Sequence, residues 1–117
     1  MNQPRPPITA HALDTTRGTP AHGLPLTLER LNNDQWELLG STTTNEDGRA
    51  PDLMEQNSAI VVGTYRVRFD TGTYYRLIGE AFFYPEVTIV FCIKDTSQHY
   101  HVPLLLSPFG YTTYRGS

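Results

Sequence analysis

His99 and His101 are separated by a single residue in the run His99-Tyr100-His101. In an extended strand, residues two apart leave the same face, so both imidazoles are expected side by side. An imidazole titrates near pH ~6.5 and can therefore take and return a proton at neutral pH. Two on one face could instead share a metal ion, and His11, in the earlier run ITAHALD, could supply a third ligand and leave an open position. His22 stands in the turn cluster TPAHG and is expected to be solvated. Asp14, Asp47, Asp52, Asp70 and Asp95 fall at strand ends or turns, where carboxylates serve local backbone geometry. Ser107 and Ser117 lack the context of an activated nucleophile. Cys92 alternates with apolar residues in TIVFCIK and is expected in the core rather than as a nucleophile. Arg49 follows the turn NEDG, a place where an arginine is ordinarily solvated.

These side chains must be positioned by short strands. ITAHALD puts Ile8, Ala10 and Ala12 on one face and Thr9, His11 and Leu13 on the other. LPLTLERL and WELLGSTTT alternate around the turn NND, and AIVVGTYRVRFD reads as a longer strand with Gly63 as a candidate bulge. TGTYYRLIGEAFF fits neither period cleanly and is expected to hold one short helix. PEVTIVFCIKD and QHYHVPLLL are further strands; SPFG turns into YTTYR, whose alternating aromatic and β-branched residues suggest a packed strand near the end of the sequence. Seven or eight short strands with Gly, Pro, Asn and Asp between them predict an all-β domain, an antiparallel sandwich or barrel. Residues 1–7 hold three prolines and are expected to be a disordered lead, with the domain spanning 8–117.

The bulk properties exclude several classes of partner. At 117 residues the chain suits one domain with a real core. Nine Lys plus Arg face twelve Asp plus Glu, and Lys94 is the single lysine, so no basic stripe exists for nucleic acid. No apolar run approaches the ~20 residues that cross a bilayer. The start, MNQPRPPITA, lacks the apolar stretch of a secretory signal. With one cysteine, no intrachain disulfide forms. A soluble cytosolic protein is expected, with a peroxisomal location left open.

The runs ITAHALDTTRGTPAHGLPLTLERL, GRAPDL and HYHVPLLLSPFGYTTYRGS, taken together, resemble the 5-hydroxyisourate hydrolases, the transthyretin-related enzymes of urate breakdown. The likeness extends from Ile8 to Ser117, and the terminal Tyr114-Arg115-Gly116-Ser117 is that family's hallmark where the hormone carrier transthyretin has a different tail. The resemblance implies a transthyretin-like two-sheet sandwich of about eight strands with one short helix. It also implies a homotetramer whose subunits together line the channel mouths. His11, Arg49 and His101 match the family's catalytic positions; His99, Tyr114, Arg115, Gly116 and Ser117 match its substrate-binding positions. Ala12, Phe109 and Thr112 depart from the residues usual in the family, at positions away from the chemistry.

The implied reaction hydrolyses the N1–C6 amide-type bond of 5-hydroxyisourate without a cofactor. His101 is expected to activate the water, His11 to orient the substrate, and Arg49 to stabilise the developing charge; the two histidines could exchange roles. Two rivals remain. A non-catalytic transthyretin-like carrier would need an apolar channel mouth, against which His11, the HYH run and the YRGS tail all stand. A zinc hydrolase would have to place its dication beside the fixed charge of Arg49, which is unfavourable.

Overall fold

The alternating segments become eight strands and one helix. A computed structural model describes residues 6–55 and 58–116; residues 1–5, 56, 57 and 117 lie outside it. Most of the expected lead and the candidate Ser117 therefore fall outside the described residues. The elements are β1 (Ile8–Asp14), β2 (Thr19–Pro20), β3 (Pro25–Asn32), β4 (Gln35–Thr43), β5 (Gly63–Phe69), α1 (Thr71–Ile78), β6 (Val87–Ile93), β7 (Tyr100–Ser107) and β8 (Gly110–Thr113). They form two four-stranded sheets, ordered β2-β1-β7-β8 and β4-β3-β5-β6.

Period-two alternation decides which face of each strand is buried. In β1 it buries Ile8, Ala10 and Ala12; in β7 it buries Tyr100, Val102, Leu104 and Leu106. Leu26 and Leu28 of β3 and Tyr65, Val67 and Phe69 of β5 meet them in one core. Each large apolar side chain so buried contributes roughly 1.5–3 kcal/mol. The outward residues of β1, namely Thr9, His11 and Leu13, stay only partly covered. The expected antiparallel sandwich contains one parallel pairing, β1 with β7, in which Ile8 faces Tyr100, Thr9 faces His101 and His11 faces Pro103.

Local sequence accounts for the turns. Asn33 and Asp34 take positive φ of 52° and 64° and close the β3–β4 hairpin, a conformation these two residue types tolerate. Asp70 caps α1 by accepting from the Thr73 backbone N–H at 3.1 Å, and Gly79 ends the helix in the left-handed region.

Three expectations need correction. Strand β5 starts at Gly63 rather than Ala59, and the sheet's irregularity lies between Leu28 and Glu29, so Gly63 opens a strand instead of bulging one. Cys92 is exposed, not core. Its strand is apolar on both parities, and packing turned Val87 and Ile93 inward, which sends Val90 and Cys92 out. The final aromatic residues are likewise not buried: Tyr111, whose ring meets Tyr84 edge-on, is 43% and Tyr114 57% exposed, and β8 is an edge strand ending at Thr113. Among the described residues, no helix is long and apolar enough to cross a membrane.

Candidate active site

The outward face of β1 and β7 collects the chemistry. Because these strands are parallel and in register, Thr9 and His101 stand side by side, with His11 one pleat further along β1. His99, just before β7, shares the face of His101 as its spacing predicts. Thr9 Oγ1 lies 2.8 Å from His101 Nδ1 and 3.0 Å from His99 Nε2. The rings of His11 and His101 are 6.3 Å apart between centroids and tilted by 34°.

Two irregular segments extend this row beyond the strands. On one side, residues 48–50 run along β1: Ala12 N–H donates to Gly48 O at 2.8 Å, and His11 and Arg49 form an antiparallel bridge. Bridge partners share a face, so Arg49 is carried beside His11. The turn NEDG makes this possible. Asn45 Oδ1 accepts from the backbone N–H of Asp47 at 2.9 Å and of Arg49 at 3.0 Å, which holds the loop in shape. Gly48 has φ +74°, and a Cβ there would run into the carbonyl oxygen of Ala12. The same turn aims the Asp47 carbonyl at His11 Nε2, 2.9 Å away. A carbonyl only accepts, so His11 carries a proton on Nε2, and its lone pair, when neutral, is on Nδ1. Arg49 is exposed, and among the described residues it makes no ion pair, leaving its five N–H donors available for an oxygen.

On the other side, the tail returns to the start of β7. Gly116 N–H donates to His101 O at 3.0 Å and the two residues form an antiparallel bridge. Arg115 lies over the Tyr100 ring, 4.6 Å from its centroid, and donates to Gln98 Oε1 at 2.7 Å. Tyr114 and Arg115 join His101, Phe91 and Cys92 in lining a cleft between β6 and the tail. His101 is therefore approached from a partly apolar cleft, which suits a flat heterocycle.

His11, Arg49, His99, His101 and Gly116 are thus gathered around one sheet face; Tyr114 and Arg115 line the neighbouring cleft, with Arg115 on the inward-pointing ring of Tyr100, and Ser117 lies outside the described residues. His22 is exposed, as expected. Among the described residues, no group of three or more His, Cys, Asp or Glu side chains is placed to hold a metal ion. Two participants were not anticipated from sequence, Thr9 and the Asp47 carbonyl. Parity sets Thr9 on the outward face with His11, but its place beside His101 comes only from the β1–β7 register.

Comparison with known proteins agrees with this fold. The chain is 51% identical over 113 residues to the 5-hydroxyisourate hydrolase of Mus musculus, covering 95% of each chain. The structure superposes on that of Klebsiella pneumoniae 5-hydroxyisourate hydrolase with a TM-score of 0.82 at 32% identity, covering 94% of this chain and 97% of that one. It superposes on sea bream transthyretin in complex with thyroxine with a TM-score of 0.87 at 32% identity, covering 94% of both. The profile of the HIUase/Transthyretin family matches residues 8–116, and the chain belongs to that family.

Proposed function

We propose that this protein hydrolyses 5-hydroxyisourate to 2-oxo-4-hydroxy-4-carboxy-5-ureidoimidazoline. The observation that carries the proposal is the continuous polar row Arg49–His11 and Thr9–His101–Gly116 across β1 and β7. The 51% identity to a curated hydrolase supports the same choice. A carrier of apolar ligands has no use for two imidazoles and, beside them, a guanidinium that makes no ion pair among the described residues.

In this mechanism His101 takes a proton from water, which attacks the C6 carbonyl of the substrate. Arg49 donates to the oxyanion that forms. His101 then returns the proton to the departing N1, so the imidazole ends the cycle neutral. His11, held by Asp47 O, orients the ring. Proton transfer by a positioned imidazole accounts for about 10²–10⁴ in rate, and one oxyanion donor for about 10²–10³. Tyr114, Arg115, Gly116 and Ser117 complete the substrate's surroundings.

The active form is a homotetramer, in keeping with the edge strands β6 and β8, one from each sheet, and the exposed Val90 and Tyr111 upon them. Light scattering should then give four times the 13.2 kDa chain mass. The activity is tested by generating the substrate with urate oxidase and following its ultraviolet decay with and without the protein. Decay at the uncatalysed rate would refute it.

A further inference from the structure

We propose that Thr9 is a positioning residue for His101: its hydroxyl, set between His101 Nδ1 and His99 Nε2, fixes the tautomer of His101 so that Nε2 is the nitrogen that takes the proton. The inference rests on the hydrolase reading given above and gives a role to Thr9, the member of that row to which the mechanism assigns none.

The argument begins with counting protons. A threonine hydroxyl has one hydrogen to give and lone pairs to accept with. Two imidazole nitrogens face it, at 2.8 and 3.0 Å. One of them at most can accept from it, so the other must donate. With both rings neutral, two arrangements satisfy all three groups. In the first, His101 Nδ1–H donates to Thr9 Oγ1, and the Thr9 O–H donates to His99 Nε2. In the second, both bonds are reversed and the proton of His101 resides on Nε2.

Turnover discriminates between them. Once His101 has accepted a proton from water it is an imidazolium, and both of its nitrogens are donors. The first arrangement already offers an acceptor to Nδ1–H and needs no rearrangement. The second would require the Thr9 hydroxyl to turn round before the base could act, and it leaves no lone pair on Nε2 to act with. Thr9 thus selects the tautomer that neutral histidine disfavours in water, where Nε2 is the preferred site of the proton. It also passes the new positive charge on to a second ring, because strengthening one hydrogen bond of the chain polarises the next.

The fold supplies the rigidity this needs. Thr9 is in register with His101 across the parallel pair, and β-branching restricts its χ1. His11, 6.3 Å from His101 on the same face, is held separately by Asp47 O, so it does not compete for the hydroxyl.

The test compares Thr9→Val, which keeps the branched shape and removes the hydroxyl, with Thr9→Ser, which keeps the hydroxyl. Thr9→Val should lose kcat by about ten- to a hundredfold, the range seen when an imidazole's orienting partner is removed, with KM little changed. Thr9→Ser should stay close to wild type, and thermal melts should show both variants folded. Long-range ¹H–¹⁵N spectra of histidine-labelled protein give a second readout that needs no turnover. Wild-type His101 should carry its neutral-state proton on Nδ1, and Thr9→Val should move it towards Nε2. Unchanged kcat in Thr9→Val, or an Nε2-protonated His101 in the wild type, would overturn the assignment. If the wild type proves inactive on 5-hydroxyisourate, the proposed function fails, and the spectrum still decides the role of Thr9 by the same criterion.

Discussion

Gly116 lies flat against the imidazole of His101: a Cβ at position 116 would come within 2.5 Å of His101 Cδ2 and 3.2 Å of Cγ. Its backbone N–H is meanwhile fixed on His101 O. The tail cannot retreat without losing that bond, so any side chain at 116 must displace the ring. Gly116→Val is expected to keep its melting temperature, since the tail lies beyond β8, and to lose on the order of a hundredfold in kcat, as an angstrom of misplacement can. Steady-state kinetics at wild-type rate would show that the ring tolerates the shift.

His11→Ala, Arg49→Ala and His101→Ala should each lose about two or more decades in kcat. His22→Ala is the control. Its side chain is exposed in a turn, and its rate should match the wild type. Full activity in His101→Ala would transfer the role of base to another group.

Gly48→Ala tests how the NEDG turn holds Arg49. The new methyl would enter the left-handed region and meet the Ala12 carbonyl. A cost of about 1–3 kcal/mol is expected in a denaturant melt, together with a fall in kcat, because Arg49 and the Asp47 carbonyl move with the turn. A loss of stability without a loss of rate would separate the turn from the site.

The buried carboxylate of Asp14, at the end of β1, accepts from the Tyr74 hydroxyl at 2.7 Å and from the Arg17 backbone N–H at 3.1 Å. Burial, and then this bond, raise the Tyr74 phenol far above its ordinary range; burial and the nearby Asp14 charge push Tyr75 up to about 12. A phenol that holds its proton more tightly when folded contributes its stability in full below the unfolded value near pH ~10. That contribution is lost as pH rises through the folded value. Melting temperature should therefore fall between about pH 10 and 12, with no corresponding change between neutrality and pH ~10. Tyr74→Phe should cost about 1–3 kcal/mol at neutral pH, having taken a donor from a buried acceptor, and leave kcat unaltered.

Cys92→Ser should change stability by no more than about 0.5 kcal/mol, as expected for a side chain outside the core. A larger loss would return Cys92 to the interior where its sequence context suggests it belongs.

What could be read from sequence, and what could not, follows from the range over which each feature is determined. The shared face of His99 and His101 is a matter of local two-residue parity at the start of β7, and it holds. The NND hairpin and the Asp70 cap are equally local. Cys92 misled because Thr88, Val90 and Cys92 form one parity of β6 and Ile89, Phe91 and Ile93 the other; both are largely apolar, so only the opposing sheet decides which enters the core. The importance of Thr9 depends on a register between residues 9 and 101, which no local pattern encodes. Arg49 looked like any solvated turn arginine until β1 was laid beside it, and it was singled out only through family likeness.

The parallel ladder of β1 and β7 also dictates when the site can come into being. Ile8 leaves the ribosome early but pairs with Tyr100, so β1 has to wait, at ordinary elongation rates, on the order of 10 s for its partner. Until then the nascent chain exposes a strand that lacks its main partner and carries His11, one of the three candidate catalytic residues. Closing so long a loop is slow even for the released chain, since non-local pairing must meet its entropic cost before any contact rewards it. Refolding should accordingly show the β3–β4 hairpin protected from hydrogen exchange before β1. Catalytic competence should be the final property regained, because the strand that bears His11 and the tail that rests on His101 are recruited together.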